Sequence, residues 1–255
     1  MTEEVTFTVA NFVGEIMLNR PQKHNAMTPK MAAELQAICA AVDADDAVSV
    51  VLVKGAGERA FSSGSDLNSL AEYPSAWAFR NRVIYESAIR NIKKPVIAAL
   101  KGWVLGGGAE MAMAADIRVA GRSMKLGFPE VTRGWVGGGG ASQMLPRIIG
   151  YGQAMRLLLT GEPIDGEEAY RLGLVEFLVD DANLESEARA LCAKIAGYSP
   201  VASQSVKAAV RMALSSTLEA GLRYENEMNT LCFSAGDHLE GINAFREGRS
   251  AEFKR

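Results

Sequence analysis

The segment GWVLGGGAEMAMAAD, residues 102–116, decides how the chain is interpreted. Three glycines, Gly106–Gly108, precede an apolar run typical of a buried helix, and Glu110 falls in the first turn of that helix. Desolvating an isolated carboxylate is unfavourable or raises its pKa toward neutrality. Two explanations stay open at this point: Glu110 stabilises the helix dipole, or it belongs to a functional site.

Strands and helices alternate on both sides of this segment. Val48–Val53 and Pro95–Leu100 are continuous apolar runs, typical of strands buried on both faces. Thr28-Pro29 has the N-cap and first-turn proline of a helix. The pattern predicts an α/β fold with an appended helical segment. Further predicted strands are Val5–Val9, Gly14–Leu18, Ile117–Ala120 and Leu174–Val179, and further predicted helices are Ser75–Asn91, Ile148–Leu159, Asp165–Leu172, Pro200–Leu214 and Leu218–Phe233.

Composition excludes several classes of protein. A chain of 255 residues can bury a core without disulfides or metals. The net charge of −3 indicates no general attraction to nucleic acid or to an anionic membrane. The three cysteines have no metal or CxxC spacing, and the acidic N-terminus is unlike a signal peptide. We expect a cytoplasmic protein.

A dinucleotide-binding loop is the main competing interpretation of the glycines. Gly55–Ala60 follows a predicted strand and matches GxGxxA. That fingerprint must open a helix, whereas residues 61–66, FSSGSD, are typical of a loop. The chain also contains neither GxxxxGK[ST] nor GxSxG, so the sequence predicts neither a phosphate-binding loop nor a nucleophile elbow.

Two other loops remain, FSSGSDL at residues 61–67 and LGGGAE at residues 105–110. Each leads from a buried strand toward a helix, where backbone N–H groups lack internal partners and could together hold an oxyanion. A second acidic candidate, Glu130, lies in LGFPEV at residues 126–131. Two carboxylates in one apolar cleft have their pKa values pushed apart, which prepares one acid and one base.

Seven motifs occur in an order and spacing typical of one family. The chain resembles the crotonase (enoyl-CoA hydratase/isomerase) superfamily along nearly its whole length. The motifs are NRPQKHNAM (19–27), AFSSGSDL (60–67), KKPVIAALKGWVLGGGAEMAMAADIRVA (93–120), LGFPEV (126–131), LPRIIG (145–150), TGEPIDGEEAYRLGLV (160–175) and FSAGDHLEGINAFREGR (233–249).

The resemblance implies a crotonase-like spiral of repeated ββα units in residues 1–198, which would hold an acyl-CoA site. Residues 199–255 would form a helical segment that covers the site and builds a homotrimer or a dimer of trimers. The implied substrate is an acyl-CoA thioester. No metal and no redox cofactor are expected, nor a nucleic-acid or membrane partner.

The resemblance also assigns roles in the site. Ser65 and Gly107 would supply the N–H groups of an oxyanion hole, and Glu110 and Glu130 would hold the water added to a trans-2-enoyl-CoA. The alternatives are a sibling acyl-CoA enzyme, such as a double-bond isomerase or a specialised dehydratase, and a non-catalytic acyl-CoA-binding protein. The residues implied to bind substrate or coenzyme A are Lys23, His24, Ala26, Ser65, Asp66, Leu67, Asn68 and Gly107.

Some positions depart from the family pattern. Gly137 stands where a proline is expected, and Met144 replaces a frequent arginine. We expect the resulting run Gly137–Gly140 to reshape the acyl pocket through added backbone freedom. Trp135 and residues 73–79 could line that pocket or belong to the core, and Lys254 or Arg255 would reach a CoA phosphate only if the tail folds back.

Overall fold

A computed structural model describes residues 3–253. Its strands are β1 (Val5–Ala10), β2 (Val13–Leu18), β3 (Val50–Gly55), β4 (Ala60–Ser62), β5 (Val96–Leu100), β6 (Trp103–Leu105), β7 (Ile117–Gly121), β8 (Lys125–Gly127), β9 (Ile164–Asp165) and β10 (Phe177–Val179). Its α-helices are α1 (Pro29–Val42), α2 (Leu67–Ala71), α3 (Ala76–Arg80), α4 (Tyr85–Asn91), α5 (Gly107–Ala114), α6 (Ala141–Ile149), α7 (Tyr151–Thr160), α8 (Gly166–Arg171), α9 (Leu184–Ala196), α10 (Pro200–Ala213), α11 (Leu218–Ala235) and α12 (Asp237–Glu247).

The larger sheet has six strands in the order β1-β2-β3-β5-β7-β10, and every pair except β1-β2 is parallel. Both faces of its central strands are buried, as the sequence predicts. In β3, Val51 and Val53 join the main core, whereas Val50 and Leu52 pack against α9 on the opposite face. The continuous apolar run follows from this double burial, because neither face of the strand meets water.

The smaller sheet has the order β4-β6-β8-β9 and consists of strands of two or three residues. Such strands are too short to give a periodic signal, which is why no strand is predicted there from the sequence. The strand pairs β3-β4, β5-β6 and β7-β8 each pass from the larger sheet to the smaller one before helical segments follow. This repetition is the spiral of ββα units that the resemblance implies.

Two predicted helices are wrong in their extent. The helix expected over Ser75–Asn91 is two helices, α3 and α4, because the Asn81 side chain donates to the Trp77 carbonyl (2.8 Å) where α3 ends. The helix expected over Ile148–Leu159 is broken at Gly150, whose φ of 79° and ψ of 161° are not helical. Asparagine and glycine therefore interrupt apolar patterns that look continuous.

The GxGxxA match at Gly55–Ala60 opens no helix. Gly57 has a φ of 75° in the turn after β3, and β4 begins directly afterwards at Ala60. The backbone therefore lacks the helix N-terminus that a pyrophosphate needs, and the rejection of a dinucleotide fingerprint is confirmed.

The C-terminal helices are attached to the core through Asp116, which follows α5. The Asp116 carboxylate lies 2.5 Å from the Lys207 ammonium and 3.1 Å from the Arg211 guanidinium, both on α10. Helix α11 has no buried residue, and Leu218 and Phe233 are strongly exposed. The apolar side chains of α11 were expected to be buried against the core and against neighbouring subunits. The core does not bury them, and burial between subunits stays a prediction. Lys254 and Arg255 lie outside the described residues.

Candidate active site

The candidate active site is a cavity of about 880 Å³. Its lining comes from five stretches of chain, at residues 20–26, 63–70, 79–86, 105–110 and 129–139. The helices α10–α12 supply no lining residue in the described part of this single chain. The C-terminal helices therefore do not line the cavity of their own chain. That the C-terminal segment of another subunit covers it stays a prediction.

The two predicted loops converge at Gly64 and Gly107. A Cβ on Gly64 would lie 2.9 Å from the Gly107 nitrogen and 2.8 Å from the Leu105 carbonyl oxygen, and Gly64 has a φ of 89°. Only glycine permits both the conformation and the approach. Within residues 3–253, the backbone N–H groups of Ser65 and Gly107 donate to no protein acceptor. Two unpaired donors thus stand next to each other at the wall of the cavity.

Glu110 is held by a loop rather than by its own helix. Its side chain lines the cavity, although the residue is only 2% exposed. Oε1 accepts hydrogen bonds of 2.9 Å from the N–H groups of Gly139 and Ala141. The other oxygen, Oε2, has no protein donor in the described chain. The carboxylate is therefore oriented through one oxygen and leaves the second for a ligand or water.

Glu130 lies close to Gly106, the residue that precedes α5. It lies in a 3-10 turn, Pro129–Arg133, and a Cβ on Gly106 would be 3.0 Å from its Oε1. Burial raises the pKa of Glu130, and the negative charge of Glu110 raises it further. The two predicted carboxylates are thus brought to one cavity, and their electrostatic interaction is of the kind expected from the sequence.

Sequence reasoning missed Tyr85 and Glu86, which form part of the same wall. The Tyr85 hydroxyl lies 2.9 Å from Ser65 Oγ, and a Cβ on Gly107 would come within 2.0 Å of it. Glu86 is only 5% exposed. Burial, followed by the charge of Glu110, raises the pKa of Glu86 to about 8. The sequence feature that could have identified Glu86 is a carboxylate on the apolar face of a helix. It was not recognised because one long helix was predicted over Ser75–Asn91.

The residues expected to bind substrate and coenzyme A are mostly found in the cavity wall. His24 is an exception: its side chain is exposed, and its carbonyl accepts from Ser63 N–H (3.0 Å). Asp66 pairs with Arg20 (2.8 Å), and the hydrogen bond from that guanidinium lowers the pKa of the Asp66 carboxyl. The lining members of the set are Lys23, Ala26, Ser65, Asp66, Leu67, Asn68 and Gly107.

The glycine loop, defined as Gly137–Gly140, makes room for three ionisable side chains. A Cβ on Gly137 would lie 2.7 Å from Glu110 Oε1, and one on Gly138 would lie 2.5 Å from an Arg82 Nη atom. A Cβ on Gly139 would lie 2.3 Å from Glu86 Cδ. A side chain at any of these three positions would therefore collide with Glu110, Arg82 or Glu86, and the expected reshaping of the acyl pocket stays a prediction.

Residues 3–253 contain no group of His, Cys, Asp and Glu side chains placed to hold a metal ion. Among the helices of the same residues, none has the length and apolar character that crossing a bilayer requires.

Comparisons with known proteins agree with the geometry. A family profile described as enoyl-CoA hydratase/isomerase matches residues 8–255. A probable enoyl-CoA hydratase of Rhizobium meliloti is 40% identical, over 95% of this chain and 94% of that protein. The short-chain-enoyl-CoA hydratase of Clostridium acetobutylicum is 33% identical, over 94% and 93%. The crystal structure of an enoyl-CoA hydratase from Bacillus anthracis superposes with a TM-score of 0.94 at 34% identity, covering 99% of each chain.

Proposed function

Because the chain belongs to the enoyl-CoA hydratase/isomerase family of CoA-thioester enzymes, we propose that it hydrates the 2,3 double bond of a trans-2-enoyl-CoA. One observation carries the proposal: Glu110 and Glu130 line the same cavity as Ser65 and Gly107, whose backbone N–H groups are unpaired among residues 3–253. Hydration requires these two kinds of group together, an oxyanion site and a pair of proton carriers.

The oxyanion hole is assigned to the backbone. The thioester oxygen would accept hydrogen bonds from Ser65 N–H and Gly107 N–H, which draws electron density from C3 and stabilises the enolate formed by attack there. Each such donor contributes roughly 3 to 4 kcal/mol in known oxyanion sites. The polarisation needs no metal or redox cofactor, because backbone dipoles supply it.

The proton transfers are assigned to the two glutamates. Water attacks C3 and gives a proton to Glu110, whose Oε2 has no protein donor. Glu130 gives a proton to C2, and its raised pKa supports that role because a carboxyl that keeps its proton longer is a better acid near neutral pH. The hydroxyl of water is thus added to C3 and the Glu130 proton to C2, and the proton taken up by Glu110 returns to Glu130, directly or by exchange with solvent, before the next turnover.

The test is hydration of crotonyl-CoA, followed by loss of the absorbance of the conjugated thioester. Glu110→Gln should lower the rate by at least roughly 10², since an amide cannot take the proton. Exchange of the C2 proton of butyryl-CoA in heavy water should survive better in Glu110→Gln than in Glu130→Gln. The double variant should be little worse than the poorer single one.

Glu162→Gln, at an exposed position outside the cavity, is the matched control and should retain wild-type rates. A Glu110→Gln protein that hydrates crotonyl-CoA at the wild-type rate would refute the proposal. If Glu110 only stabilises the helix dipole, Glu110→Gln should keep the wild-type hydration rate and lose roughly 0.3 to 1 kcal/mol of unfolding free energy.

The second candidate is double-bond isomerisation, and Glu86 is the observation that favours it. A third carboxyl in the same wall, with a pKa of about 8, could exchange protons with a substrate carbon that Glu110 and Glu130 do not reach. Conversion of a 3-enoyl-CoA to the conjugated 2-enoyl-CoA would appear as a gain in absorbance. Loss of that gain in Glu86→Gln, with hydration retained, would favour the isomerase.

The remaining parts of the proposal concern organisation. Residues 1–198 would hold the acyl-CoA site, and residues 199–255 would cover it and form a homotrimer or a dimer of trimers. The exposed apolar side chains of α11 support such an interface. A cytoplasmic location belongs to the same proposal, supported by three cysteines in the free thiol form.

A further inference from the structure

Building on the proposed function, we infer that the cavity accepts acyl chains that carry a carboxylate, which Arg82 would bind. The substrate class would be CoA monothioesters of unsaturated dicarboxylic acids. The inference concerns the part of the cavity lined by Phe79, Arg82, Val83, Trp135 and Val136. We call this part the acyl end.

The guanidinium of Arg82 is fixed on one side and open on another. Its Cζ lies 4.0 Å from the centroid of the Phe79 ring, and Nη1 donates to the Phe79 carbonyl (2.9 Å). Nη2 faces Gly138, where a Cβ would come within 2.5 Å of it. Phe79 in turn contacts Trp135, with ring centroids 5.5 Å apart. The arginine is therefore held at the cavity wall before any ligand arrives.

Arg82 forms no salt bridge among residues 3–253, although the residue is half-buried. Its charge acts on Glu86 without a direct ion pair and opposes the rise in the pKa of that carboxyl. A partly desolvated cation without a salt-bridge partner is unfavourable, and a carboxylate from the ligand would relieve this. Arginine suits that role because its planar fork can donate two parallel hydrogen bonds to a carboxylate.

Glu86, like Glu110 and Glu130, is a carboxyl in the cavity wall, and it packs against the same glycine loop as Arg82. Its raised pKa, about 8, keeps the carboxyl largely protonated at neutral pH. A protonated carboxyl donates a hydrogen bond and does not repel a carboxylate. Glu86 and Arg82 both pack against the glycine loop, at Gly139 and Gly138, so the two donors line adjacent parts of the wall.

Three other cations line the cavity but fit this role less well. Arg20 already forms a salt bridge with Asp66 (2.8 Å). Lys23 lies in the segment that the family resemblance assigns to coenzyme A. Arg133 is exposed, and its guanidinium donates to the Pro129 carbonyl (3.3 Å). Arg82 alone of the four stands among Phe79, Val83 and Trp135, where an acyl chain would find apolar contacts.

The experiment compares two unreactive ligands of matched shape. Glutaryl-CoA ends in a carboxylate, and 5-methylhexanoyl-CoA carries an isopropyl group in its place. Titration calorimetry should show glutaryl-CoA binding to the wild type at least roughly 10-fold tighter, as expected for a charge-assisted hydrogen bond. Arg82→Met should abolish this preference and leave binding of 5-methylhexanoyl-CoA within about 2-fold, because the ligand's apolar contacts persist.

Two variants control for charge and folding. Arg80→Met, at an exposed arginine two residues away and outside the cavity, should keep the preference. Arg82→Lys keeps the charge without the planar fork and should keep part of the preference, which provides a readout if Arg82→Met does not fold.

Equal binding of the two ligands by the wild type would overturn the inference. So would equal weakening of both ligands in Arg82→Met, because the arginine would then serve coenzyme A or the fold. Neither ligand reacts, so the result does not depend on hydration. A protein that prefers glutaryl-CoA through Arg82 but hydrates neither crotonyl-CoA nor glutaconyl-CoA refutes only the proposed function, and one that hydrates without the preference refutes only this inference.

Discussion

Glu110 and Gly139 are joined by a hydrogen bond of 2.9 Å, donated by the Gly139 N–H to Glu110 Oε1. The bond connects the first turn of α5 to the glycine loop, 29 residues further along the chain. The carboxylate is therefore positioned by a backbone that has to pass very close to it. A position that looks like a helix-dipole contact in the sequence is instead the junction between a helix and a loop.

Gly139→Ala should damage the site more than the fold. The new Cβ would lie 2.3 Å from Glu86 Cδ, so the loop or Glu86 must move, and we expect a displacement of the loop that lengthens the hydrogen bond to Glu110. We expect hydration of crotonyl-CoA to fall by roughly 10² if general-base help is lost. Gly152→Ala is the control, because its Cβ meets no atom within 4 Å and should leave the rate unchanged. Equal rates in both variants would contradict the assigned role of the loop.

Substitutions at Gly107 and Tyr85 should have non-additive effects on the free energy of unfolding. A Cβ on Gly107 would lie 2.0 Å from the Tyr85 hydroxyl oxygen, so Gly107→Ala should destabilise by about 1 to 3 kcal/mol through overpacking. Tyr85→Phe removes that oxygen, and the double variant should recover part of the loss, by about 0.5 kcal/mol or more in a double-mutant cycle. The measurement is urea unfolding of the three variants. Strict additivity would mean that the hydroxyl is not the obstacle.

The sequence predicts the larger sheet and the two carboxylates well, for identifiable reasons. Long apolar runs such as Val48–Val53 record burial on both faces, and Glu110 and Glu130 are conspicuous as charges in apolar surroundings. Glu86 was not predicted as a site residue, because one continuous helix was expected where Asn81 ends the first of two helices. The contact between Gly138 and Arg82 was not predicted either, since no periodic pattern in the sequence indicates a contact between distant segments.

The C-terminal helices should assemble with other copies of the chain. Leu218, Phe233 and Phe245 are 72%, 68% and 88% exposed, and exposed apolar patches of large side chains mark protein–protein interfaces. Sedimentation should therefore show an oligomer, with a trimer as the proposed unit, at micromolar concentration. Phe233→Ser should weaken assembly, whereas Tyr151→Ser, at an exposed residue of α7, should not. A wild-type protein that sediments only as a monomer would contradict this prediction.

Glu86 should make the stability of the protein depend on pH between about 5 and 8. The folded pKa of about 8 lies above the ordinary value of 4.5, chiefly because of burial and then because of the charge of Glu110, while Tyr85 and Arg82 act in the opposite direction. The folded state therefore holds the proton more tightly than the unfolded state. The resulting stabilisation is fully present below the unfolded pKa and is lost as pH rises through the folded one.

Glu86→Gln removes this titration, so its free energy of unfolding should rise relative to the wild type as pH increases from 5 to 8. The slope is at most about 1.4 kcal/mol per pH unit, and the difference should level off above pH 8. Urea unfolding at fixed protein concentration measures it, with exposed Glu162→Gln as the control that should follow the wild type at every pH. Parallel curves for the wild type and Glu86→Gln would show that Glu86 is ionised in the folded protein, because only a carboxyl with an unshifted pKa leaves the difference constant.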